Sequence, residues 1–168
     1  MKQRFAIILS LVLFVALLTS CAGSGGNDST DGKNVAGNLT DLMVKIYESI
    51  DPPVEFVPMD MSFTEKGDDF GKPVEYFIGT ASVPFAEGLA SEAAIGAIPH
   101  SIVLLRMKPD ADVEAAKKTI KDDIDPWKWI CVGVDPSDVI VDNIGDLVVV
   151  ILSDRSVEFH DAFKALAR

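Results

Sequence analysis

The stretch VIVDNIGDLVVVIL, residues 139–152, decides the fold of this chain. Its two ends are apolar runs rich in valine and isoleucine, which are enriched in β-strands. Between them lie turn-forming residues such as Asn143 and Gly145, and glycine adopts a positive φ at little energetic cost. The stretch therefore predicts a β-hairpin with strands at 139–141 and 147–152.

Working outward from the hairpin, the rest of the chain predicts several further elements. Compact apolar runs predict strands at 74–78, 101–107 and 127–134. Helical spacing and composition predict helices at 40–50, 85–98 and 112–124, and a last helix beginning near 154 or 156. Short strands interrupted by single helices favour an α+β fold. We expect a single two-layer domain in which amphipathic helices cover an antiparallel or mixed sheet.

The N-terminus resembles a bacterial lipoprotein signal. Lys2 and Arg4 give it a positive start, residues 5–18 form an apolar run, and Leu18-Thr19-Ser20-Cys21 closes it. The run is shorter than the ~20 apolar residues of a transmembrane helix. The alternative is an ordinary secretory signal cleaved at a small-residue site after Cys21, in which the cysteine is incidental.

We favour lipidation, because Leu18, Ser20 and the Gly/Ser-rich sequence after the cysteine all fit that signal. Residues 1–20 are then a signal peptide, and Cys21 carries a diacylglycerol thioether and fatty acyl chains such as palmitate. Each buried methylene contributes ~0.8 kcal/mol, so two or three chains hold a protein on a membrane far better than one. We expect the protein on the outer face of the bacterial cytoplasmic membrane, or at the outer membrane of a cell that has two membranes.

The segment 21–38 begins with the lipidated cysteine. The rest of it is rich in Gly, Ser, Asn and Asp and has almost no apolar side chains to bury. This composition predicts a flexible tether with an r.m.s. span on the order of 20 Å. Residues 39–168 are long enough for one ordinary core, so we expect them to form the single α+β domain, of unknown function.

The chain is acidic, with 15 Lys and Arg against 26 Asp and Glu and a net charge of −11. Removing Lys2 and Arg4 with the signal leaves 13 against 26, a net charge of −13. Nucleic-acid binding, which needs a basic patch, is excluded. An anionic lipid surface would repel this domain, so we expect membrane contact through the acyl chains on Cys21. The charge suits a cationic partner or metal ions, but a solvated acidic surface explains it more simply.

Cysteine use agrees with this assignment. With Cys21 lipidated, Cys131 is the only thiol left, so no internal disulfide can form. Cys131 lies in the apolar run that predicts a strand. A free cysteine in such a run usually packs as a small hydrophobic side chain, and we prefer that interpretation to a nucleophile.

His100 is the first candidate for catalysis, because Ser101 follows it and Glu92 precedes it by eight residues. A histidine, a hydroxyl and a carboxylate would then converge, although no Gly-x-Ser-x-Gly nucleophile elbow occurs in the chain. A histidine at a strand entrance more often satisfies a backbone group, which is the alternative. His160, in the last predicted helix, is a weaker candidate.

Trp127 and Trp129 are candidates for ligand binding, since in an extended strand they share one face. An exposed face of this kind stacks on a sugar or on the apolar patch of a partner. Core packing is the alternative for both indoles.

Acidic residues offer oxygen ligands for calcium at 122–125 and at Asp135 and Asp138, but their spacing fits no EF-hand loop. Roles in turns and at helix ends explain these aspartates more simply. Zinc signatures, phosphate-binding glycine loops and dinucleotide fingerprints are absent from the sequence, so we assign no metal and no cofactor.

The strand at 101–107, the helix at 112–124 and the hairpin at 138–154 resemble the bacterial lipoprotein family catalogued as domain of unknown function 4358. The resemblance covers about residues 40–166 in element order and includes the lipoprotein signal. It implies an extracytoplasmic domain in a bacterium with a single membrane. The shared motifs are structural, so the resemblance assigns no catalytic residue.

The sequence as a whole favours a membrane-anchored, non-enzymatic lipoprotein whose domain binds an envelope protein or a small ligand. The alternative is an envelope hydrolase that uses His100 with a nearby hydroxyl or carboxylate. A solute-capture subunit of a transporter ranks last, because such proteins commonly use two lobes and this chain provides one.

Overall fold

The computed structural model describes residues 34–168 and shows one six-stranded antiparallel sheet with four α-helices. The α+β class and the antiparallel sheet are therefore confirmed. The elements in chain order are α1 (Leu39–Glu48), β1 (Pro58–Thr64), β2 (Gly67–Asp68), α2 (Val74–Ile78), β3 (Phe85–Ala93), β4 (Ser101–Met107), α3 (Val113–Asp123), β5 (Val139–Ile144), β6 (Leu147–Leu152) and α4 (Ser156–Ala165).

The strands lie in the order β2-β1-β3-β4-β6-β5, so β3 and β4 are central. Successive side chains of β4 alternate between two hydrophobic cores: Ile102 and Leu104 pack with α1 and α4, whereas Val103 and Leu105 pack with α2 and α3. Helices thus cover both faces of the sheet, and the domain has three layers instead of the expected two. We call these faces the α1/α4 face and the α2/α3 face.

The hairpin that decides the fold is confirmed as β5 and β6, which pair from Val139 opposite Leu152 to Ile144 opposite Leu147. Gly145 has a φ of +56°, and a glycine with positive φ at the first central position is typical of a type II′ turn. The side chains of β6 are buried along its whole length. The hairpin therefore builds one side of both cores.

The segment Val74–Ile78 forms helix α2, so the predicted strand there is wrong. Its buried residues are Val74, Phe77 and Ile78, a spacing of three and four that belongs to a helix. Pro73 precedes the helix and Gly79 ends it with a φ of +80°. Proline before and glycine after are boundary signals that outweigh the β-branched composition.

The helix predicted at 85–98 is also wrong, because residues 85–93 form β3. Alanine and glutamate favour a helix in isolation, but pairing with β1 and β4 on both sides outweighs that preference. Gly88 allows a close approach here: a Cβ added to it would lie 2.5 Å from the ring of Phe63. The small residues thus serve sheet packing.

The other predicted elements are confirmed within two or three residues. Asn38 caps α1 by accepting a hydrogen bond from the amide of Asp41 at 2.8 Å, and Asp112 caps α3 in the same way. The strand at 101–107 is β4, and the last helix is α4.

The predicted tether ends earlier than expected. The side chain of Asn34 accepts a hydrogen bond from the amide of Asp146, and the carbonyl of Gly37 accepts one from Arg106. Residues 34–38 therefore pack on the domain. The predicted signal peptide and Cys21 lie outside the described residues.

None of the helices in residues 34–168 has the length and hydropathy needed to cross a membrane.

Candidate functional site

The segment 125–135, which we call the Trp127 loop, has no strand in it, although a buried strand was predicted. Asp125 starts a turn by accepting a hydrogen bond from the amide of Trp127 at 2.8 Å, and the amide of Val134 closes the loop on the carbonyl of Pro126 at 3.0 Å. The loop therefore bonds to itself instead of joining the sheet. Cys131 is exposed as a result, so its predicted burial is wrong.

The two tryptophans do not share a face, because the loop is not extended. Trp127 is 62% exposed, and its ring lies over the backbone of Gly133, where an added Cβ would be 2.5 Å away. Trp129 is partly buried against the core of the α2/α3 face. Ile130 is completely exposed. The loop thus displays one indole and one aliphatic side chain.

Lys128, between the two tryptophans, turns inward and is buried. Its Nζ donates hydrogen bonds to Oε1 of Glu92 at 2.5 Å and to Oγ of Ser101 at 3.0 Å. The same ammonium lies 4.7 Å from the ring centroid of Tyr76 and 5.2 Å from that of Trp129. These contacts fix the middle of the loop to the sheet.

Glu92 is placed for this role by the strand register. It stands on β3 directly opposite Ser101 on β4, and the Ser101 hydroxyl donates to Oε1 at 3.2 Å. The other carboxylate oxygen accepts from the Tyr76 hydroxyl at 2.8 Å and lies 3.9 Å from Nζ of Lys72. Glu92, Ser101, Tyr76, Lys72 and Lys128 form the Glu92 network.

Burial controls the electrostatics of this network. It lowers the pKa of Lys128, because desolvation penalises the ammonium more than the Glu92 carboxylate favours it. Burial also raises the pKa of Tyr76, and its hydrogen bond to Glu92 adds to that effect. Tyr76 therefore remains a neutral donor at physiological pH. Hydrogen bonds within the network satisfy the charged groups of Lys128 and Glu92, as is typical of a structural ion pair.

Lys128 and Tyr76 are members of the network that no sequence pattern predicts. The only signal for Lys128 was a single charge between two tryptophans in an otherwise apolar run. Tyr76 lies in α2, where the apolar run predicts a strand. Glu92 was noticed, but its ammonium partner lies 36 residues away in sequence.

His100 is 2% exposed and faces the α1/α4 face, away from Glu92. Its Nε2 is 2.8 Å from the Tyr47 hydroxyl, and its Nδ1 is 3.1 Å from Oγ of Ser153. The rings of Phe56 and Phe159 pack on it with centroids at 4.6 and 5.1 Å. Its two ring nitrogens contact side-chain hydroxyls, so the alternative in which it satisfies a backbone group is wrong.

Burial lowers the pKa of His100 to about 4; the charge of Glu92 opposes this shift, and the charges of Arg155 and Lys128 add to it. The imidazole is therefore neutral at physiological pH. Glu92 and Ser101 do meet, as the sequence suggested, but the histidine points to the opposite side of the sheet. The three groups do not converge.

His160 lies on α4, where its Nε2 is 2.7 Å from Oδ2 of Asp142. Lys164 reaches the same oxygen at 3.2 Å. Burial raises the pKa of Asp142, but hydrogen bonds from His160, its neighbouring backbone and Lys164 outweigh burial and lower it. These contacts join α4 to β5.

Two of the aspartates considered as calcium ligands, Asp122 and Asp135, make local contacts. Asp122 pairs with Lys118 on α3, and Oδ1 of Asp135 accepts from the amide and hydroxyl of Ser137. Among residues 34–168, no three His, Cys, Asp or Glu side chains are grouped so as to hold a metal ion.

Among the cavities formed by residues 34–168, three lie away from the Trp127 loop and from His100. The first, of about 450 Å³, and the third, of about 370 Å³, lie between α1 and α4 and share Ser49, Ala162 and Ala165. The second, of about 300 Å³, lies beside β1 and includes Ser62 and Glu87.

Comparison with models of protein families, with curated proteins and with solved structures gave no match.

Proposed function

We propose that this chain is an extracytoplasmic lipoprotein, anchored through acyl chains on Cys21, whose folded domain is a non-enzymatic binding module. The Trp127 loop is the surface that contacts a partner protein of the envelope. One observation carries this assignment: Trp127 and Ile130 are held in solvent by a loop whose central residue, Lys128, is fixed to Glu92 inside the domain. A pre-ordered loop loses little conformational entropy on binding.

A protein partner is favoured over a small molecule by the shape of the site. Small ligands bind in concave pockets that bury most of their surface, whereas Trp127 is 62% exposed and Ile130 is completely exposed. The exposed side chains of Trp127 and Ile130 suit insertion into a partner's apolar pocket. Tryptophan is among the residues that most often dominate such interfaces.

A protein partner is also favoured over the bilayer surface. Anionic lipids give a membrane a negative surface potential, and the predicted mature chain carries a net charge of −13, from 13 basic and 26 acidic residues. This charge opposes close approach of the domain to anionic headgroups. The acyl anchor supplies membrane contact without the loop.

We do not favour the hydrolase alternative, because the hydroxyls that His100 contacts are those of Tyr47 and Ser153 inside the domain, not that of Ser101. His100 is buried among Phe56, Phe159 and Tyr47, and its neutral ring faces away from Glu92. Ser101 is also fully buried and bonded to Lys128 and Glu92. General acid–base catalysis needs groups that a substrate can reach.

The test is site-specific photo-cross-linking of the full chain in cells. A photoreactive amino acid replaces Ile130 in one variant and Val157, which is 66% exposed on α4, in the control variant. We expect position 130 to give a discrete protein adduct that position 157 does not give. Trp127→Ala, made together with the probe at 130, should lower the adduct yield several-fold.

Two results would contradict the proposal. One is equal adduct formation at positions 130 and 157, which would mean that the loop has no partner of its own. The other is a probe at position 130 that labels lipids instead of protein, identified by the small mass increase of the cross-linked chain. That outcome would assign the loop to the membrane.

A further inference from the structure

Within residues 34–168, the outer edge of β1 is only partly covered. Strand β2 is two residues long and pairs with Phe63 and Thr64 alone. Along residues 58–62, strand β1 pairs with β3 on one side, and no described residue pairs with it on the other. An edge of this kind presents backbone groups that another strand can bind.

The ladder geometry identifies which groups face outward. The amide of Ala94 donates to the carbonyl of Val57 at 3.0 Å, and the register places these two residues opposite each other. In an antiparallel ladder, hydrogen-bonded pairs alternate with non-hydrogen-bonded pairs. Met59 and Met61 therefore bond to β3. The amide and carbonyl groups of Asp60 and Ser62, with the carbonyl of Pro58, point away from the sheet.

The side chains along this edge alternate in character. Met59 and the buried Met61 lie on the α2/α3 face, and Asp60 and Ser62 lie on the α1/α4 face. In a strand added beside β1, residues opposite Met59 and Met61 share the first face, and residues opposite Asp60 share the second. The edge therefore matches a strand in which apolar and polar residues alternate.

Carboxylates near the edge indicate which polar side chains the added strand carries. On the α1/α4 face, a cavity of about 300 Å³ lies beside Ser62, next to the start of helix α1 at Leu39. Glu87 and Asp69 line this cavity, and Asp60 follows on the same face of β1. Carboxylates at these three places favour basic side chains on an incoming strand.

We propose that the edge of β1 at residues 58–62 binds an extended segment of a partner protein in which apolar and basic residues alternate. The segment adds to the sheet as a seventh strand, with its backbone bonded to Asp60 and Ser62 and its basic side chains toward Asp60 and Glu87. This mode of recognition takes affinity from main-chain hydrogen bonds and specificity from alternate side chains. It does not depend on the Trp127 loop.

The test measures hydrogen exchange at single residues in the full chain, in detergent micelles. The probe is a synthetic Val-Lys-Val-Lys-Val peptide, and the matched control is Val-Glu-Val-Glu-Val. With the lysine peptide at 100 times its dissociation constant, exchange at the Asp60 and Ser62 amides should slow about 100-fold. The amides of Met59 and Met61, which already bond to β3, should change little.

Charge reversal checks the specificity. Asp60→Lys should lower the affinity for the lysine peptide about tenfold and raise the affinity for the glutamate peptide. Asp110→Lys makes the same charge change at an exposed carboxylate in the turn after β4 and should leave both affinities as they are.

Three outcomes would overturn the proposal. The first is equal affinity for the two peptides. The second is unchanged exchange at Asp60 and Ser62 when the lysine peptide is bound. The third is slow exchange at both amides without peptide, which would mean that the chain's own residues already occupy the edge.

Discussion

Nζ of Lys128 lies 2.5 Å from Oε1 of Glu92, and each of the two side chains is only 5% exposed. Removing two charges from water costs several kcal/mol, and the remaining hydrogen bonds of both groups must offset that cost. Ser101 and Tyr76 supply those bonds from β4 and α2. The ion pair therefore joins the Trp127 loop, the centre of the sheet and a helix at one point.

Lys128→Met should destabilise the domain by about 3–5 kcal/mol, because it leaves the buried Glu92 carboxylate without its hydrogen-bonded ammonium and with only the more exposed Lys72 nearby. Urea unfolding of the full chain, followed by circular dichroism, measures the change in the free energy of unfolding. In the double variant Glu92→Gln/Lys128→Met the buried charge is gone. The decrease in the free energy of unfolding of the double variant should be clearly smaller than the sum of the decreases in the two single variants.

Strict additivity of the Glu92→Gln and Lys128→Met losses would contradict the pairing. A Lys128→Met variant as stable as the wild type would contradict it too.

Gly88→Ala should destabilise the domain by about 1–3 kcal/mol through overpacking. The added Cβ would meet the ring of Phe63, which is buried and stacked on Phe77 with centroids 4.3 Å apart. Gly96→Ala is the matched control, since nothing lies within 4 Å of its added Cβ. Thermal unfolding measures both variants. Similar midpoints for the two would contradict the packing of β1 on β3.

His100 gives the domain a specific dependence on pH. Its pKa falls from 6.5 to about 4 in the folded chain, so the unfolded chain takes up a proton first as the pH decreases. The stabilisation is complete above pH 6.5 and is lost between pH 6.5 and 4. Between pH 7 and pH 4, the free energy of unfolding of the wild type should fall by about 3 kcal/mol more than that of the His100→Gln variant.

Urea unfolding at several pH values measures both curves for His100. Parallel curves for wild type and His100→Gln would mean that this ring is not buried in its neutral form.

Cys131 should react in the native protein. It is exposed in the Trp127 loop, so iodoacetamide should alkylate it as completely without urea as with urea. Mass spectrometry of the peptide that contains residue 131 measures the modified fraction. Alkylation that requires urea would contradict the exposure of Cys131 and would support the buried strand that the apolar composition predicts.

The sequence predicted the elements whose local signals agree with their packing. The hairpin of β5 and β6, strand β4 and helices α1, α3 and α4 combine a clear apolar period with a cap or a turn residue. Local signals failed where tertiary contacts decide the structure. Strand β3 has helix-forming residues but lies between two strands, and α2 has strand-like residues between Pro73 and Gly79.

The candidate site was predicted only in part, for a related reason. Trp127 was found from its residue type, and its exposure depends on a loop that bonds to itself. Lys128 and Glu92 are far apart in sequence, and only the position of the loop over β3 brings them together. No local pattern encodes that contact.

The claim on which the proposed function depends is that the domain is held outside the cytoplasm by lipid on Cys21. Mass spectrometry of the N-terminal peptide of the mature native protein tests it most directly. We predict a peptide that begins at Cys21 and carries the mass of a diacylglycerol thioether, with or without a further acyl chain. An unmodified thiol at Cys21, or a peptide that begins after it, would contradict the account.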